Sequence, residues 1–131
     1  MGNTATPGHL AIKRILIADD EPAMRRLIRD SLADKTYEIL EASDGRGVIK
    51  IIGQTQVDLI ITDVCMPERD GLETIQEIRR MQTSSKILAV SGAFDGLFLA
   101  AARAFGADAA LAKPFRPMDL VSCVDQLLNA A

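Results

Sequence analysis

At 131 residues, 48% of them hydrophobic, the chain has room for one domain and enough apolar material for one sizeable core. Its 15 basic and 18 acidic residues leave a net charge of -3, which argues against a surface built to hold nucleic acid through a general positive field. Cys65 and Cys123 show neither metal-ligand spacing nor a disulfide framework, so a reducing cytoplasm is the simplest setting, and no apolar run approaches the roughly 20 residues of a membrane span.

The first twelve residues, with Pro7 and Gly8, lack an apolar period and are expected to form a disordered leader, 1–12, ahead of a single domain over 13–131. Residues 15–18 then form a short apolar strand ending at Asp19-Asp20, and Pro22 suits the first turn of a helix. That helix runs through Met24, Leu27, Ile28 and Leu32, with Arg25, Arg26 and Arg29 on its outer face. A second strand covers 37–40, Asp44-Gly45 makes a turn, and Val48, Ile49 and Ile52 line a second helix stopped near Gly53. The run Leu59-Ile60-Ile61-Thr62-Asp63 is apolar until its last residue, the pattern of a strand buried on both faces that delivers a carboxylate to a loop. A third helix places Leu72, Ile75 and Ile78 inward and Glu73, Gln76, Glu77 and Arg80 outward. The fourth strand covers 86–91, and Gly92 and Gly96 bracket a flexible loop. A fourth helix over 97–105 is capped by Gly106, a short fifth strand over 109–112 ends at Lys113-Pro114, and the last helix covers 118–128.

Strand then helix, repeated, predicts an α/β fold: a parallel sheet with helices on both faces. Right-handed crossovers bring every strand's C-terminal end to one edge, where ligands bind at the point of strand-order reversal. The residues so assembled are Asp19, Asp20, Asp63, Ser91 and Lys113. Crowded carboxylates invite a cation, and an all-oxygen set suits Mg2+, which keeps several waters and favours phosphate as a partner. A hydroxyl and an ammonium aimed at the same point complement phosphoryl oxygens, and an aspartate is itself a competent phosphoryl acceptor. Taken singly, each residue has a plainer role: Asp20 as the N-cap of the first helix, Ser91 as a loop hydroxyl, Lys113 as a partner for a nearby acid. Independent plain roles do not predict that all of them meet on one edge.

In order and spacing, Asp19-Asp20, Asp63 followed by Met66-Pro67 and Gly71, Ser91-Gly92-Ala93 and Lys113-Pro114-Phe115 resemble the receiver domain of two-component response regulators. The resemblance covers residues 14–128 and implies a flavodoxin-like doubly wound sheet of five parallel strands in the order 2-1-3-4-5, flanked by five helices. It makes Asp63 the phosphoryl acceptor, and Asp19, Asp20, Asp63 and the backbone carbonyl of Cys65 the ligands of Mg2+. Ser91 stands at the switch hydroxyl, Lys113 at the lysine that pairs with the phosphoryl group, and a cis bond is expected before Pro114. The implied donor is a phosphohistidine on a sensor histidine kinase or histidine phosphotransfer protein, and the implied catalysis is only of the domain's own phosphorylation and dephosphorylation. A stand-alone, chemotaxis-regulator-like or phosphorelay protein is expected, monomeric or weakly dimeric, with a receiver detached from a larger regulator as an alternative.

A dehalogenase-type phosphatase also uses an aspartyl phosphate, Mg2+ and a lysine, but its nucleophile opens an Asp-x-Asp stretch, and neither Asp19 nor Asp63 has an aspartate two residues on. A dinucleotide-binding module lacks its glycine-rich turn here, because Asp19-Asp20-Glu21-Pro22 occupies that place. Two features concern output. Along the helix over 97–105, Phe98, Ala102 and Phe105 are expected to face inward, leaving Leu97, Ala100, Ala101 and Ala104 as an uncharged outer face for a downstream protein target or a second copy. In the fifth strand Ala110 stands where receivers commonly carry an aromatic residue, so transmission is expected to pass instead through Gly92 and Phe94 in the neighbouring loop.

Overall fold

The computed structural model of the chain describes residues 12–64, 71–81, 84–92 and 96–129. Nearly all of the expected leader, the Cys65 carbonyl and Phe94 lie outside the described residues. Strands and helices alternate: β1 (Lys13–Ala18), α1 (Pro22–Ser31), β2 (Tyr37–Ala42), α2 (Gly45–Ile52), β3 (Leu59–Asp63), α3 (Gly71–Met81), β4 (Lys86–Ser91), α4 (Gly96–Phe105), β5 (Ala109–Ala112) and α5 (Pro117–Asn129). All neighbouring strands pair in parallel, in the order β2-β1-β3-β4-β5, as expected for a doubly wound sheet.

Strand periodicity divides the core between the two faces. Leu16, Ile60 and Ile87 pack with Val48, Ile75 and Ile78 of α2 and α3. On the other face Ile15, Ile17, Ile61 and Leu88 pack with Ile28 of α1 and Leu120 and Val124 of α5. All five residues of β3 are buried, which is why the central strand reads as an unbroken apolar run rather than an alternation.

Several local expectations are corrected. Asp44-Gly45 is not a separate turn: the Asp44 carboxylate accepts the Gly47 amide at 2.8 Å and caps α2, which begins at Gly45. Asp20 is not the cap of α1; that position falls to Glu21, whose side chain makes no capping bond, while Asp19 Oδ1 accepts the Glu21 amide at 2.9 Å. Leu27 and Phe105 are more than one-third exposed, because the inward stripe of each helix is narrower than the apolar spacing implied. On α4 Ala102 is fully buried and Ala100 and Ala104 are exposed. Gly106 follows α4 with φ 127°, a left-handed conformation that suits a residue without Cβ.

Candidate functional site

The register of the sheet decides which side chains meet. Ala18 pairs with Thr62, so Asp19 and Asp63 are each one residue further on and level with one another. Asp63 in turn pairs with Val90, and Ser91 with Ala112, which brings Ser91 and Lys113 to the same edge as successive steps across β4 and β5. The chain is anchored there by backbone bonds: Asp19 N donates to Ala42 O at 3.1 Å, Val64 N to Val90 O at 3.0 Å, and Lys113 N to Ser91 O at 2.8 Å. Strand order reverses between β1 and β3, which is where this fold opens a crevice.

Asp19 and Ser91 are fully buried and Asp63 is nearly so, whereas Asp20 is exposed. One carboxylate oxygen from each of Asp19, Asp20 and Asp63 falls within 4.8 Å of the others. Lys113 reaches over them: its Nζ donates to Asp19 Oδ2 at 2.8 Å and to Asp63 Oδ2 at 3.1 Å. Burial alone would pull the Lys113 ammonium down, but the hydrogen bond to Asp19 and the charge and hydrogen bond of Asp63 together outweigh it, so its pKa is raised. Three carboxylates against one ammonium leave the cluster negative. A hard, all-oxygen donor set with excess negative charge fits a divalent cation such as Mg2+. The Lys113–Pro114 bond is cis. Gly92 lies beside the lysine, since a Cβ there would sit 3.6 Å from Lys113 Cδ. Ala110 is half-buried in β5 opposite Ala89.

Two residues at this edge escape a reading by amphipathicity. Arg25, expected on the solvent face of α1, turns its Nη1 to the backbone carbonyl of Asp19 at 2.7 Å, and its Nε donates to Glu41 Oε1 at 2.9 Å. Glu41 sits near the C-terminal end of β2, so the strand-end rule that picks out Asp19, Asp63, Ser91 and Lys113 also reaches it.

A family model described as response regulator receiver domain matches residues 15–125. The chain is 30% identical over 116 residues to the chemotaxis protein CheY of Thermotoga maritima, covering 88% of this chain and 97% of that protein. It is also 30% identical over 117 residues to the alkaline phosphatase synthesis transcriptional regulatory protein PhoP of Bacillus subtilis, covering 89% of this chain but only 49% of that protein. A CheY-like receiver domain protein from Methanospirillum hungatei superposes with a TM-score of 0.86 at 26% identity, covering 91% of this chain and 95% of the other. A chemotaxis response regulator of Vibrio cholerae gives 0.82 at 28% identity, covering 90% of this chain and all of the other.

Proposed function

The chain belongs to the response regulator receiver family, and on that premise we propose that it is a phosphorylation-dependent signalling switch whose acceptor is Asp63. The reading rests on one observation: three carboxylates and a lysine ammonium converge on the C-terminal edge of the sheet, where Asp63 is held by Lys113 and faces Asp19 and Asp20.

In the proposed reaction a carboxylate oxygen of Asp63 attacks the phosphorus of a phosphohistidine on a sensor kinase or phosphotransfer protein. The P–N bond breaks, its electrons stay with the imidazole, which takes up a proton, and an acyl phosphate forms on Asp63. Attack by water later releases inorganic phosphate and restores the carboxylate. Asp19, Asp20, Asp63 and the expected carbonyl of Cys65 are the candidate ligands of Mg2+, which when bound offsets the negative charge that phosphoryl transfer concentrates here. Lys113 supplies a fixed cation for the phosphoryl oxygens, and the buried Ser91 a hydroxyl. Gly92, packed on Lys113, is the first backbone unit placed to respond, and the loop after it carries the change toward α4 because Ala110 has no rotamer to switch. The exposed Ala100 and Ala104 face of α4 is the proposed surface for a downstream protein target. The domain works in the cytoplasm, as a monomer or weak homodimer, without nucleic-acid or membrane contacts of its own.

Incubation with Mg2+ and a small acyl phosphate tests the reading. Mass spectrometry should register one added phosphoryl group on the native chain and none on Asp63→Asn. Equal labelling of the two proteins would dismiss Asp63 as the acceptor.

A further inference from the structure

Asp19 is held at every polar atom. Its amide donates to Ala42, its Oδ1 accepts the Glu21 amide, its Oδ2 accepts Lys113, and its carbonyl accepts Arg25. Asp20 is the opposite case: it is exposed, and its carboxylate accepts no hydrogen bond from another described residue. What places Asp20 in the cluster is therefore the backbone that delivers it. The Asp19 carbonyl and the Asp20 amide share one rigid peptide plane, so a group that fixes that oxygen also fixes the direction in which the chain enters Asp20.

Arg25 is built for that task. Its side chain is 18% exposed, against 47% for Arg29 one turn on, and its guanidinium donates in two directions at once: inward to the Asp19 carbonyl at 2.7 Å and outward to Glu41 at 2.9 Å. Arg29 adds two donors to the other oxygen of Glu41, at 2.6 and 2.9 Å, so the carboxylate is anchored from both sides. The Arg29 hydrogen bond, opposed by burial and aided by the Arg25 bond, holds the Glu41 carboxyl below its ordinary range and keeps the anchor charged. A lysine cannot reproduce this, because one ammonium on a flexible stem lacks the planar fork.

We propose that Arg25, braced by Glu41, is a positioning residue that sets the Asp19–Asp20 peptide and so holds Asp20 where the acid cluster takes up a divalent cation. The proposal rests on the metal reading given above. Partners of this kind, one step removed from the ligands, typically change metal affinity by ten- to a hundredfold when lost.

Calorimetric Mg2+ titration of the unphosphorylated protein tests it, with Arg14→Met as the control. Arg14 makes the equivalent ion pair with Glu38 at the far end of β1. Arg25→Met should bind Mg2+ about tenfold or more weakly, Arg25→Lys in between and Glu41→Gln severalfold weakly, while Arg14→Met binds as the native chain does. In metal-free protein the Asp20 amide resonance should move in Arg25→Met and Glu41→Gln and stay put in Arg14→Met, a readout that a general loss of stability would not produce. Native affinity in a folded Arg25→Met, or an unmoved Asp20 amide in both Arg25→Met and Glu41→Gln, overturns the proposal while the metal reading stands. A native chain that takes up no Mg2+, or whose uptake is indifferent to Asp20→Asn and Asp63→Asn, overturns the metal reading and the proposal with it.

Discussion

Along the N-terminal edge of the sheet, acids pair with arginine side chains or with the backbone amides of strand starts. Asp58 accepts the Arg14 amide at 2.8 Å while Arg14 pairs with Glu38. Asp108 accepts both the Ile87 amide and Arg79, which also donates to the carbonyls of Ser85 and Gly106. Along the C-terminal edge three carboxylates cluster, and the two buried ones share a single lysine. Carboxylates meet cations on both edges. The difference is balance and burial: paired charges that satisfy strand starts hold the fold together, whereas an excess of one sign, two of its members taken out of water, stores repulsion that a cation relieves.

The largest effect that would sharpen this contrast is the loss of Lys113. Lys113→Met leaves Asp19 and Asp63 buried without their cation and should cost about 3 kcal/mol in metal-free denaturant unfolding. Arg14→Met, which breaks a pair with both side chains more than 40% exposed, should cost under about 1 kcal/mol. Equal costs would erase the distinction between the edges.

Arg79→Ala is expected to cost about 2 kcal/mol, since it strips partners from the Ser85 and Gly106 carbonyls, and to leave phosphoryl labelling at the native level. Reduced labelling in folded Arg79→Ala would mean that the N-terminal edge is not purely structural.

Asp63→Asn should abolish labelling and yet match or slightly exceed the native chain in metal-free stability, because it removes one member of a repelling cluster. A clear loss of stability would show that Asp63 is a net structural partner of Lys113.

The smallest effects are in pH dependence. Lys113 has its pKa raised above 10.5 in the folded chain, so its contribution is fully present below that value and is lost as pH rises through the folded pKa. Glu41 is lowered from 4.5, so its contribution is present above that value and is lost as pH falls through the folded pKa. Unfolding midpoints measured against pH should show an alkaline loss that disappears in Lys113→Met, and a weaker acid loss, screened by solvent, that shrinks in Glu41→Gln.

Much of this was legible from periodicity alone. Buried strands must be apolar and helices must show one inward face, so the alternation of elements, the limits of β4 at Lys86–Ser91 and β5 at Ala109–Ala112, and the crowding of Asp19, Asp63, Ser91 and Lys113 on one edge all follow from the order of residue types. Cap and surface details were not legible in the same way. Asp44 as a cap, Glu21 rather than Asp20 at the head of α1, and the exposure of Leu27 and Phe105 depend on a turn's rotation or on the width of a contact, which a spacing rule leaves open. The role of Arg25 lay furthest out of reach. By itself the sequence determined that an arginine stands on α1, that Glu41 follows a second strand expected over 37–40, and that an acid pair precedes them. Only the packing of α1 beside β2 decided that the guanidinium turns back to the Asp19 carbonyl instead of out to water, because that choice hangs on distances between elements that no local pattern encodes.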